Sequence, residues 1–96
     1  MNTKKMEVLL EDLTKKNIEH SKLCMSVAEK RRVVSELYGK KIMELQRIGV
    51  HISLLKDLAK GSDAVLFAKR ELSIVEIKMK ECQDAIKIIQ VKMEMV

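Results

Sequence analysis

The sequence predicts an all-α protein: a long antiparallel helical hairpin of the coiled-coil type that assembles into a multi-helix bundle. Three observations predict it. The chain has no proline and three glycines in 96 residues, so its helices should be few and long. Apolar residues recur at alternating spacings of four and three, the heptad pattern of a coiled-coil seam. Tyr38 and Phe67 are the only members of the Phe, Trp and Tyr class, and a core of Leu, Ile, Val and Met suits an elongated interface better than a rounded globule.

A single domain over residues 1–96 is expected, with helix 1 spanning about 4–60. Its seam reads Met6, Leu10, Leu13, Asn17, His20, Cys24, Val27, Arg31, Val34, Tyr38, Lys41, Leu45, Ile48, Ile52, Leu55 and Ala59. Leu9, Leu23, Leu37 and Leu58 widen it on one flank, as in a bundle of three or more helices. Gly39 and Gly49 lie inside this pattern. The heptad phase survives both, and neither is followed by a capping Ser, Thr, Asp or Asn, so the reading carries the helix through them at about 1 kcal/mol each relative to alanine.

The reversal is placed at 61–63, where Gly61 suits a left-handed C′ position and Ser62 or Asp63 can cap the next helix. Helix 2, about 64–96, has an unbroken seam: Val65, Ala68, Leu72, Val75, Met79, Cys82, Ile86, Ile89, Met93 and Val96. At 1.5 Å per residue the two helices would be ~80 and ~50 Å long. Folded about 61–63, helix 2 would run out near Val27 and leave Leu9, Leu10, Leu13, Ile18 and Leu23 with no neighbour in the same chain. That overhang would need another chain.

Helix 2 also carries Phe67, Ile74, Ile77, Ile88, Val91 and Met95 away from its seam. Single exposed isoleucines are ordinary, but a row at helical spacing reads as a second contact surface. These six residues, with Leu9, Leu13 and Leu23 of the overhang, are the expected protein-binding positions. The partner is then a second copy, giving a dimer or higher oligomer, or a separate coiled-coil protein.

The formal charge of +5 permits attraction to phosphates, yet many bases have an acid one helical turn away: Glu11 with Lys15, Asp12 with Lys16, Glu36 with Lys40, Glu76 with Lys80. Such pairs describe a solvated helix surface. The segment EKRRVVSELYGKK gathers Lys30, Arg31, Arg32, Lys40 and Lys41, with Tyr38 its one stacking platform, so nucleic acid is not the expected partner.

Asn17, His20 and Cys24 form a row that reads as a register-setting polar layer, since a polar residue in a seam penalises wrong alignments. His20 and Cys24 could share a zinc ion with a second copy in a parallel dimer, but one pair per chain is far from a zinc motif, and no metal or cofactor is expected. No phosphate loop, HExxH or nucleophile motif is present, and a coiled hairpin offers no enclosed pocket; neither an enzyme nor a small-molecule substrate is expected.

Two cysteines without disulfide spacing, Cys24 and Cys82, and the lack of a leader-like or membrane-spanning apolar run favour a reducing intracellular setting, cytoplasm ahead of nucleus. The function expected is that of a structural or adaptor component binding helices through apolar stripes. A holding chaperone for a helical partner and a basic coiled-coil nucleic-acid accessory are the alternatives.

Overall fold

The computed structural model describes residues 3–96, which form three helices: α1 (Thr3–Arg47), α2 (Ile52–Lys60) and α3 (Asp63–Glu94). No strand occurs among the described residues. The protein is an all-α helical hairpin. Its helices build two compact units, one from Val27–Ile74 and one from the residues up to Ser26 with Val75–Val96.

In the first of these units the chain reverses at residues 48–51, not at 61–63. Gly49 takes φ +83°, the left-handed region that glycine enters without a Cβ penalty. Its N–H donates to the Gln46 carbonyl at 3.1 Å, and the Val50 N–H donates to the Leu45 carbonyl at 3.0 Å. Those are the two hydrogen bonds of a Schellman C-cap, in which the residue after the glycine also packs on the last turn of the helix. Val50 does so, against the cluster of Leu45, Leu55 and Ala59 that Tyr38 and Ile42 also join. Helix α2 then starts on a cap that the usual list of capping residues omits: His51 has extended backbone (φ −62°, ψ 140°) and its Nδ1 accepts from the Ser53 N–H at 3.2 Å. The expectation of one helix over about 4–60 therefore fails at Gly49 and holds at Gly39.

Gly61, expected to be left-handed, has φ −84° and ψ −2°. Its N–H continues the helical pattern to the Asp57 carbonyl at 3.0 Å, and the Ser62 hydroxyl turns back to the Ala59 carbonyl at 2.9 Å. The 61–62 step thus joins α2 to α3 without reversing the chain. Leu37, Lys40, Lys41, Glu44 and Leu45 of α1 share one groove with Leu58 and Gly61–Ala64, and Val34, Ser35 and Tyr38 share another with Lys60 and Lys69. As the chain advances from α2 into α3, its neighbours on α1 step backwards. Small side chains allow this close approach: Ala59 and Val65 are completely buried and Ala68 nearly so.

In the other unit α1 and α3 are also antiparallel. Cys24 meets Met79, Lys16 meets Cys82, and Val8 and Leu9 meet Met95 and Val96. The described residues up to Ser26 consequently have a partner within the chain, and the overhang does not exist. Its inference depended on a reversal at 61–63; moving that point to Gly49 gives the second arm the additional length of α2.

The seam of α3 is as read: Val65, Ala68, Leu72, Val75, Met79, Cys82, Ile86, Ile89 and Met93 are buried or half-buried, while Val96 is exposed. On α1 one rank of the expected seam turns inward, through Met6, Leu13, His20, Val27, Val34 and Lys41. The other rank holds at Tyr38 and Leu45, which turn inward, but from Leu10 to Arg31 it is displaced by one residue. Leu9, Lys16, Leu23, Lys30 and Leu37 are half-buried, whereas Leu10, Asn17, Cys24 and Arg31 are exposed. Leucine at 9, 23 and 37 outweighs the polar residues at 17, 24 and 31 in choosing the face to bury, and the stems of Lys16 and Lys30 cover apolar surface while their charges reach water.

Candidate interaction surface

Helix α3 has its inner rank against α1 and still presents apolar side chains outward. Within the unit that holds the reversal, Phe67 and Ile74 are exposed. In the other unit Ile77, Ile88, Val91 and Met95 are exposed, between 53% and 80%. Ile88, Val91 and Met95 follow i, i+3, i+7 spacing and form one stripe; Glu81 and Asp84, also exposed, separate them from Ile77. All six residues of α3 read from the sequence are therefore exposed.

Leu9, Leu13 and Leu23 stand differently. All three are half-buried within their unit, so they are not the bare set that the overhang required. Leu9 retains an open side, where it joins Val8, Met95 and Val96 in an apolar groove of about 720 Å³ bordered by Lys4, Lys5 and Lys92. At the reversal Ile48, Ile52 and Leu54 are exposed as well, two of them by three quarters or more. Sequence reasoning placed Ile48 and Ile52 in the seam because it carried the helix through Gly49.

The polar row resolves into a different cluster. Asn17 is exposed and His20 half-buried, so Asn17 does not lie inside the seam where it could set register. Cys24 is exposed, with Sγ 3.7 Å from Nδ1 and 3.8 Å from Nε2 of His20. Its thiol donates to Met79 Sδ at 3.7 Å, and the Gln83 amide nitrogen lies 3.2 Å from His20 Nε2. Cys82, by contrast, is buried and donates to the Lys16 carbonyl at 3.3 Å. Burial, and next the nearby Glu19 carboxylate, push its thiol up. Among the described residues no three of His, Cys, Asp and Glu are placed to hold a metal ion together. The thioether of Met79 is the member that residue spacing could not supply.

Two members of the basic run, Arg32 and Lys41, are engaged with acids. Arg32 Nε donates to Glu29 at 3.1 Å and its terminal nitrogens reach Glu29 and Glu36; the guanidinium hydrogen bond holds Glu29 below the usual carboxylate range. Lys41 pairs with Glu44 at 3.5 Å. Of the pairs expected, Glu11 with Lys15 forms at 3.4 Å, while Lys16 turns to Glu19 at 3.1 Å and Glu36 to Arg32. Exposed pairs of this kind contribute a few tenths of a kcal/mol each.

Compared with protein-family models, curated proteins and solved structures, the chain gives no match. No helix among the described residues is long and apolar enough to cross a membrane.

Proposed function

We propose that this protein is a non-enzymatic coiled-coil adaptor that joins a second copy of itself, or a partner helix, through the outer face of α3 in a larger assembly. The reading is carried by the exposed apolar positions that persist on α3 after its inner rank has packed, above all Ile77, Ile88, Val91 and Met95. A helix-in-groove contact is built from anchors at this spacing, and methionine at its end suits a surface that must adapt its packing.

Exposed area supports the same reading. The chain presents 7332 Å² to solvent, against about 5600 Å² for a typical folded monomer of 11.0 kDa. The excess, on the order of 1700 Å², is ample for the ~800 Å² that each partner of a standard interface buries. The ion pairs of Arg32 and Lys41 weigh against phosphate binding as the main role, because those acids would have to be displaced or left facing the polyanion.

Light scattering and circular dichroism on Ile77→Lys with Val91→Lys test the proposal. The double variant should keep wild-type helicity, since both residues are exposed, yet lose the oligomer or partner capture, since two charges in an apolar contact are costly to desolvate. Lys80→Gln with Lys87→Gln is the surface control. A folded double variant that assembles like the wild type would show the outer face to be ordinary surface.

A further inference from the structure

We propose that Cys24, His20 and Met79 form a binding site for a soft monovalent metal ion, copper(I) in the first instance. The three side chains come from two helices, α1 and α3, and meet within one compact unit. Each supplies a donor that copper(I) favours: a thiolate sulfur, an imidazole nitrogen and a thioether sulfur.

The two separations from Cys24 Sγ fit ligands around one ion. Metal–nitrogen and metal–sulfur bonds of about 2.0–2.3 Å, set 120° apart, put neighbouring donors roughly 3.7–4.0 Å from one another. Cys24 Sγ lies 3.7 Å from His20 Nδ1 and 3.7 Å from Met79 Sδ. Loading needs adjustment of side chains only. Gln83 engages the far nitrogen of the ring, Nε2, at 3.2 Å; with its amide turned, the Gln83 oxygen accepts from Nε2–H and Nδ1 is left as the donor to the ion. A ligand histidine is ordinarily oriented by such a partner.

Charge and access agree with the choice of ion. The Cys24 thiol gives up its proton to solvent as the copper–sulfur bond forms, so the ion remains copper(I) and no electron is transferred. Thiolate and monovalent cation cancel, and the half-buried site takes on no net charge. Cys24 is exposed, which lets the ion arrive without opening the hairpin. Zinc is the weaker fit, because a structural zinc site takes four ligands, usually Cys and His, whereas three are present here and one of them is a soft thioether. Cys82, whose thiol is turned to the Lys16 carbonyl, is not a ligand.

Anaerobic titration of the reduced full chain against the coloured copper(I) complex of bathocuproine disulfonate tests the site. The wild type should withdraw one copper(I) per chain and melt at a higher temperature when loaded. Met79→Leu preserves volume and the seam, and should lower the affinity ten-fold or more; Cys24→Ser should abolish withdrawal, and Cys82→Ala should keep it. His20→Gln, on α1 with Cys24, should likewise lower the affinity ten-fold or more. Failure of the wild type to compete overturns the proposal. So does withdrawal that is undiminished in Met79→Leu or Cys24→Ser.

Discussion

Replacing Gly39 and Gly49 with alanine should move stability in opposite directions, although both glycines sit in the same heptad pattern. At Gly39 the backbone is helical, and an added Cβ would meet nothing within 4 Å. Alanine there removes unfolded-state freedom and should stabilise by about 0.5–1 kcal/mol. At Gly49 an added Cβ also meets nothing within 4 Å, so the effect is confined to the backbone, held at φ +83°. An L-residue in the left-handed region costs about 1–2 kcal/mol. The lower entropy of the unfolded alanine chain returns ~0.4–1 kcal/mol of this, leaving a net loss of about 1 kcal/mol.

For a domain near 100 residues each kcal/mol shifts Tm by about 4–8 °C. Gly49→Ala should thus melt about 4–8 °C lower than the wild type and Gly39→Ala about 2–8 °C higher, by circular dichroism at one fixed chain concentration. The two positions are far enough apart for the double variant to sit near the sum. A gain at Gly49 would mean that the helix runs through residue 49 and that the reversal is placed wrongly, and a loss at Gly39 would refute the argument for that position.

His51→Ala should cost about 0.5–2 kcal/mol by removing the acceptor that caps α2, and His51→Asp should recover most of it; equal denaturation midpoints for wild type and alanine variant would remove the cap from the account. Val65→Ala, at a completely buried site, should cost about 2 kcal/mol, whereas Leu66→Ala next to it, half exposed, should cost clearly less in urea denaturation. Cys82 should resist alkylation in the folded chain while Cys24 reacts. Its folded thiol holds the proton to higher pH than the unfolded thiol, whose ordinary value is 9.0. The stability this contributes is whole below that value and lost as pH rises past it, so the fall in denaturation midpoint between pH 8 and pH 10 should shrink in Cys82→Ala.

Much of the hairpin is legible in the residues themselves. The inner rank of α3 from Val65 to Met93 and the outward position of Phe67, Ile74, Ile77, Ile88, Val91 and Met95 both follow from helical period and side-chain type, because every inner position of that helix is apolar and one frame alone buries them. Helix α1 offers two frames. Leu9 and Leu10, Lys16 and Asn17, Leu23 and Cys24 are successive residues about 100° apart, and which of each pair is covered depends on where α3 lies across from it. The reversal point was partly legible too: Gly49 followed by Val50, with Leu45 four residues before the glycine, is the sequence of a Schellman cap, but a capping histidine at 51 concealed the start of α2.

What the tertiary structure alone decided is the alignment of the arms. A glycine can enter the left-handed region anywhere, so which glycine turns the chain depends on where the segment beyond it packs, and the cluster of Leu45, Val50, Leu55 and Ala59 provides that place at Gly49. Once the turn lies there, α2 and α3 together run back along α1, the overhang disappears, and Met79 arrives beside Cys24 and His20. That meeting joins residues 55 positions apart. No local pattern contains it, because it is set by the register of two helices, and the register is set by the turn.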